Sequence, residues 1–358
     1  MYKLIGTVLL LIVVAATYLV VWPVPIEPRV WQAQPPQTLR ATGSLAGIRR
    51  LAEQIGVGPE GIAVDAQGRL YAGFEDGRVL RFDADGGNTE QLADTGGRPL
   101  GLSVGSKDLL VADAIRGLLQ VHADGRVVVL SREAEGQAFG FVDDVDQSDA
   151  DPGIYFSDAS TRYGIHDYMI DLLEHGDTGR LLRYNPGTGR TEVLMRGLHF
   201  ANGVALGPNA DYVLVAETAE YRIWRYWLKG ERAGTREIFA DRLPGFPDNL
   251  SFNGRDRFWV ALVVPRDPRL DEMAGRPLLR KMVYRVPEFL RPGPRLKSWV
   301  LGLDLDGKVV ASLEHEGPSP KPYGPITSVE QRGDTLYFGS LTDSALGRIS
   351  LPGLGAAP

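Results

Sequence analysis

The sequence predicts an all-β fold, a six-bladed β-propeller preceded by one N-terminal transmembrane helix. Three observations carry this: an uncharged N-terminal run, a hairpin phrase that occurs six times, and turn residues closing each copy. A chain of 358 residues is long enough for one large closed all-β domain behind an anchor.

The N-terminal run comes first. Residues 4–22 read LIGTVLLLIVVAATYLVVW, without a charged side chain. A helix of roughly 20 apolar residues crosses the hydrocarbon core of a bilayer. Lys3 and the free amino terminus fall on the cytoplasmic side, and Trp22 is placed as an interfacial aromatic. Pro23 and Pro25 then end the helix, because proline lacks a donor and clashes with the preceding turn. The rival is a cleaved signal peptide, whose apolar region spans about 7–15 residues and precedes a small-x-small site. Here Ala15 and Ala16 lie inside the run instead of after it. The expected organisation is a cytoplasmic tip (1–3), a signal-anchor (4–22), a linker (23–45) and the propeller (46–358). The propeller would then lie outside the cytoplasm, in a periplasmic, lumenal or extracellular space.

The repeated phrase is a β-rich run, a turn, and a second run ending in Gly, Asp or Asn. Its copies start at Leu70, Leu109, Ile154, Tyr212, Phe258 and Leu336, spaced by 39, 45, 58, 46 and 78 residues. Apolar alternation rich in Val, Ile, Tyr, Phe and Trp marks the strands, and DG or GTG marks the hairpins. Repeats of about 40–50 residues made of hairpins alone indicate propeller blades, each burying its faces against its neighbours. The two long intervals place insertions at about 159–179 and 264–300.

The second insertion is basic. Residues 264–297 hold nine Lys and Arg against four acids, in a chain whose net charge is −6. Leu278, Leu279, Met282, Val283, Val286 and Leu290 fall at helical spacing, and Pro287 breaks the helix late. One reading is a helix packed on the propeller with solvated arginines. The other is a lid or a membrane-surface contact near the anchor.

Several chemistries are excluded. The chain has no cysteine, which rules out disulfides, a thiol nucleophile and thiolate metal sites. The acidic balance gives no basic face for nucleic acid. No G-x-x-x-x-G-K-[ST] phosphate-binding loop or HExxH pair occurs.

Polar residues at the starts of inner propeller strands converge on the axis. Candidates there are Glu60 in VGPEGIAVD, Asp143 and Asp144 in GFVDDV, Asn202 in FANGVALGP, and Asp248 with Asn249 in GFPDNLSF. Any one of them fits an ordinary turn role. Oxygen donors at equivalent places in successive repeats, without His or Cys, suit a hard cation such as calcium, which takes six to eight oxygens. His199, three residues before Asn202, either faces the channel or packs locally; His166 in the first insertion is a rim candidate.

At these residues the chain resembles a known family. The stretches GRPLGLSV, LLVADAIRGLL, FVDDV, IYFSDAS, DTGRLLRYNP, FANGVAL, YVLVAETAEYRIWRYWLKG, LPGFPDNLSF and LYFGS are similar to strictosidine synthase-like proteins. Within them they look most like the branch of adipocyte plasma membrane-associated proteins. The wider superfamily of gluconolactonase, regucalcin and paraoxonase consists of six-bladed propellers with a catalytic calcium at the axis. The resemblance puts metal-binding roles on Glu60, Asn202, Asp248 and Asn249, and on Asp143, where the hydrolases carry an Asn. It leaves Asp144 and His199 as supporting residues. The position of the synthase's catalytic glutamate holds Thr327 and Ser328, so amine–aldehyde condensation is not expected. What the resemblance implies is a membrane-anchored, calcium-dependent hydrolase of small esters, lactones or aryl esters, with Asp248 as nucleophile or base. A non-enzymatic propeller scaffold with a structural metal is the alternative.

Overall fold

A computed structural model of the chain describes residues 1–105, 108–291 and 293–351. Six blade sheets follow one another along it, antiparallel throughout except at one added edge strand, and a two-stranded hairpin of Glu133–Ala134 with Gln137–Ala138 stands beside them. Their innermost strands are Ile62–Val64, Pro99–Val104, Val142–Ser148, Ala201–Leu206, Gly245–Phe252 and Ile326–Arg332. Each packs against the next, and Ile326–Arg332 returns to Ile62–Val64, so the ring closes. The six repeated phrases are the second and following strands of the six blades.

Closure is made by the N-terminal side of the domain. The sixth blade holds three C-terminal strands, and Arg49–Leu51 supplies the fourth by pairing antiparallel with Leu346–Ser350. Gly43–Ser44 adds a parallel fifth strand to the fifth blade, against Val309–His315. Both ends of the domain are therefore fixed in the sheets, which leaves fewer unpaired strand edges.

The core lies between blades. Apolar side chains of each blade interleave with those of the next, as Val111 does with Ala63, Leu301 with Leu214, and Phe338 with Trp259. This is why second strands such as Leu70–Gly73, Leu109–Asp113 and Tyr212–Glu217 are buried at every position, and why they read as apolar runs more than as alternation. Truncating one of these large side chains, such as Phe338, costs about 3–5 kcal/mol.

Strand direction decides what lies above the axis. Each inner strand starts on one face, which we call upper, and its hairpin partner returns there. The loops between second and third strands are therefore upper loops, and both insertions are of this kind. The first carries a short helix, Tyr168–Glu174, and the second carries Pro268–Met273 and Pro277–Arg285. Two helices thus stand where the spacing led us to expect one, and Pro287 ends the second as predicted. The expectation of solvated arginines fails at two positions. Arg280 and Arg285 are buried, because their guanidinium groups bond main-chain carbonyls.

The N-terminal helix runs from Tyr2 to Val21, with none of its residues buried, and is long and apolar enough to cross a membrane. Beyond it, the chain is laid along the upper face. Arg29 N–H donates to Glu174 O, Trp31 N–H to Ala274 O and Gln37 N–H to Arg242 O, and Ile26 is wholly buried.

Candidate axial site

Glu60 precedes the first inner strand; Asp143, Asn202, Asp248 and Asn249 lie within the third, fourth and fifth. Two glycines allow this convergence. A Cβ on Gly203 would stand 2.5 Å from Asp248 O, so only glycine beside Asn202 lets the fourth and fifth strands meet so closely. A Cβ on Gly339 would collide with Glu60 O. Glu60 O is in turn held by the hydroxyls of Thr327 and Ser328, at 2.9 and 2.7 Å.

Asn249 Nδ2 donates to Glu60 Oε1 at 2.8 Å, across the ring. Glu60 Oε2, Asn202 Oδ1 and Asn249 Oδ1 are buried acceptors without a donor. Asp143 and Asp248 are buried as well. Electrostatics agrees with this crowding. Burial pushes the Glu60 carboxyl up to about 7, with the Arg98 guanidinium opposing. Burial, then the charge of Glu60, raise both Asp143 and Asp248 well above the usual carboxylate range. The donor set is oxygen-only, anionic and short of hydrogens, and so it fits a hard divalent cation. Glu60, Asp143, Asn202, Asp248 and Asn249 are the residues that would hold it.

Asp144 has a different position. Its Oδ2 accepts from Val204 N–H at 2.7 Å and its Oδ1 from Val145 N–H, so it pins the third inner strand to the fourth. Asp146 repeats the device one step further along, accepting from Leu206 N–H. Below the site, a cavity of about 390 Å³ follows the axis, lined in part by Asp144, Asp146, Asn249 and Glu330.

Above the site stands an apolar collar. Leu100 of the second inner strand, and Phe141 and Phe200, which stand two residues before Asp143 and Asn202, pack with Tyr168 and Leu172 of the first insertion. Burial, then the charge of Asp248, raise the Tyr168 hydroxyl. Tyr168 and Arg98 are functional candidates that sequence reasoning missed. Arg98 stands inside the GRPLGLSV stretch, but its value as a cation follows only from its burial near Glu60.

The two histidine candidates are placed apart from the carboxylates. His166 is exposed in the turn Ile165–Asp167 on the upper face. His199 stacks on His175 with ring centroids 4.2 Å apart, and its Nδ1 contacts His175 O. With Glu220 these form a second group whose ligand atoms lie within 4.8 Å of one another. That group is occupied by its own contacts: His175 Nε2 bonds Glu220 Oε1 at 3.0 Å, and Trp31 covers the other face of His175. Stacked, parallel imidazoles direct their lone pairs side by side, which is poor geometry for one ion.

Comparison with known proteins follows the same lines. Residues 143–231 match the family model for strictosidine synthase, and residues 43–82 match that for the strictosidine synthase-like N-terminal region. The chain is 36% identical over 316 residues to protein strictosidine synthase-like 4 of Arabidopsis thaliana, covering 84% of this chain and 82% of that one. It is 33% identical over 356 residues to the adipocyte plasma membrane-associated protein of Rattus norvegicus, covering 91% and 93%. Among solved structures it is similar to a gluconolactonase from Xanthomonas campestris, with a TM-score of 0.61, 17% identity, and coverage of 92% and 100%. It is also similar to a calcium-binding regucalcin from Agrobacterium tumefaciens, with a TM-score of 0.57, 14% identity, and coverage of 92% and 97%. At such identities these two likenesses speak for the fold alone.

Proposed function

The chain belongs to the strictosidine synthase-like family, and from the geometry of its axial site we propose that it is a membrane-anchored, metal-dependent hydrolase of carboxylic esters or lactones. The observation that carries this reading is the set of three buried acceptors, Glu60 Oε2, Asn202 Oδ1 and Asn249 Oδ1, that have no donor, together with the burial of Asp143 and Asp248. Such a set is costly to bury unless a cation or protons compensate it. Calcium suits the all-oxygen ligands, and when bound it supplies Lewis-acid stabilisation to a carbonyl oxygen.

The side chains divide the remaining work. Asp248 would take a proton from water or bond the acyl carbon itself. Arg98 moderates the charge of Glu60, and Asp144 fixes the spacing of the third and fourth strands. The collar of Leu100, Phe141, Phe200 and Tyr168 receives the apolar part of a substrate and excludes water from the carboxylates. Thr327 and Ser328 are engaged with Glu60 O, where an amine–aldehyde synthase would need an acid.

The test uses the full chain in detergent micelles with phenyl acetate and a γ-lactone. Hydrolysis should stop with a calcium chelator, return with added Ca2+, and be lost in Asp248→Ala. Turnover indifferent to chelation would overturn the mechanism. Ca2+-dependent stabilisation without turnover across an ester panel would favour a binding module.

A further inference from the structure

The second insertion is fastened to the N-terminal helix. Arg285 is buried; its Nε donates to Trp22 O at 2.7 Å and its Nη1 to Leu19 O at 2.8 Å. Those carbonyls belong to the last turn of the apolar helix and the residue after it, where no intrahelical donor remains. A guanidinium there also complements the negative end of the helix dipole. The insertion is therefore held at the level where the helix leaves the hydrocarbon, beside Trp22.

What the insertion presents at that level is unusual for a water-facing loop. Phe289 is 84% exposed, Leu290 64% and Leu278 53%. Arg276 and Arg291 are exposed and have no acidic partner among the described residues, whereas Lys281, Arg295 and Lys297 are paired with Glu27, Glu316 and Glu314. Arg291 donates Nε and Nη2 to Val286 O and Tyr284 O, which fixes its guanidinium while leaving its charge unneutralised. Bare aromatic and aliphatic side chains flanked by cations without an acidic partner are the pattern of a segment lying in a lipid headgroup layer. Anionic headgroups attract such cations.

We propose that the second insertion docks on the bilayer that the N-terminal helix crosses. Phe289 and Leu290 enter the headgroup–acyl boundary, and Arg276 and Arg291 meet the phosphates of anionic lipids. This rests on the anchor reading and not on the hydrolase reading. Because the insertion is an upper loop, the docked face is the one bearing the axial site. Arg280 carries the attachment inward: it donates to Leu173 O and Glu174 O of the first insertion and to Ala274 O of the second. Ligands reaching the collar would then arrive from the interface.

The absence of cysteine makes a direct test simple. Full-length Phe289→Cys, and separately Leu290→Cys, would carry a polarity-sensitive fluorophore in nanodiscs of phosphatidylcholine with phosphatidylserine. A label at Thr188→Cys, in a hairpin on the lower face, is the control. The expected result is blue-shifted emission at 289 and 290, quenched by lipids with a nitroxide high on the acyl chain, and solvent-like emission at 188. Adding Arg276→Glu and Arg291→Glu should abolish the quenching, as should discs without phosphatidylserine. Solvent-like emission at both 289 and 290, in chains that co-elute with the discs, would overturn the docking while leaving the anchor intact. Failure to co-elute would overturn both. Quenching that ignores lipid charge and the Glu substitutions would overturn the anionic-lipid assignment.

Discussion

The Asn249 amide donates to Glu60 Oε1 at 2.8 Å, joining the fifth blade to the entry of the first across the axis. The contact orients two acceptors at once, since Asn249 Oδ1 and Glu60 Oε2 are then left free and buried. Asn249→Leu preserves volume but removes one oxygen and releases the other from its orientation. The expected outcome is a rise of roughly 10–100-fold in the Ca2+ concentration that half-stabilises the fold, by analogy with lost orienting partners at metal sites. A calcium titration followed by thermal unfolding measures it.

Ion binding should appear as stability before it appears as turnover. A ligand that binds only the folded state at 100 times its dissociation constant adds about 2.7 kcal/mol. Ca2+ should therefore raise the unfolding temperature of the full chain, and Glu60→Gln should reduce the rise. A melting curve that does not respond to millimolar Ca2+ would count against a cation at the axis.

The two roles open to Asp248 differ in where oxygen goes. If its carboxylate activates a water, a single turnover in H218O puts the label into the product acid. If it bonds the acyl carbon with loss of the alcohol, a mixed anhydride forms, and water opening it at the Asp248 carbonyl leaves the label on the enzyme and an oxygen of Asp248 in the product acid. Label found by mass spectrometry on the peptide containing Asp248 after one turnover assigns the nucleophile role, and trapping of an acylated Asp248 distinguishes the anhydride route when the label is in the product. Asp248→Asn should abolish turnover in either case.

The blades were legible because their signals are local. Strand alternation in LYAGFEDGRVLRF or YVLVAETAEYRIWRYW, with Gly and Asp at the turns, needs no knowledge of distant residues. The candidate residues Glu60, Asp143, Asn202 and Asp248 could be named for a related reason, since each recurs at the start of a blade. Their partners were harder. The Asn249–Glu60 bond spans 189 residues, and no spacing rule reaches so far. Arg98, Tyr168, Arg280 and Arg285 were overlooked as contacts because an arginine or tyrosine in a polar stretch reads as solvent-facing. Their burial depends on which carbonyls and carboxylates the ring brings to them. His199 read equally well as a channel residue or a packed one, and its stack on His175 depends on the first insertion folding back.

The helix of the first insertion should respond to pH through Asp171. Its side chain is buried, and burial pushes its carboxyl up to about 7 against weak opposing contacts from Ser160 and the Gly176 N–H. The folded state therefore holds a proton that the unfolded chain releases near pH 4. Between those values folding takes up a proton, so stability falls as pH rises toward 7, and the full penalty is present above it. Asp171→Asn removes the titration. The wild-type chain should lose protection of amides in 165–176 between pH 5.5 and 8.5, and the variant should lose much less. Hydrogen exchange read by mass spectrometry checks this, and equal loss in both chains would assign the effect elsewhere.

Arg280 ties the upper face together, so its removal should loosen that face before the propeller. Besides Leu173 O, Glu174 O and Ala274 O, it donates to Arg29 O of the segment that follows the N-terminal helix. Arg280→Met keeps the apolar stem and deletes the donors, leaving Leu173 O and Arg29 O to find water, while Glu174 O and Ala274 O keep the N–H groups of Arg29 and Trp31. Each buried carbonyl left bare costs about 1–3 kcal/mol, so a local loss of at least about 2 kcal/mol is expected after relaxation. Proteolytic cleavage should appear within 160–178 and 23–42, while the blades remain resistant. Arg280→Lys should rescue little, because one ammonium cannot present the forked donors that reach carbonyls on three segments. If both variants resist cleavage as the wild type does, the insertions are held by the apolar collar of Phe141, Phe200, Tyr168 and Leu172, and the guanidinium is dispensable.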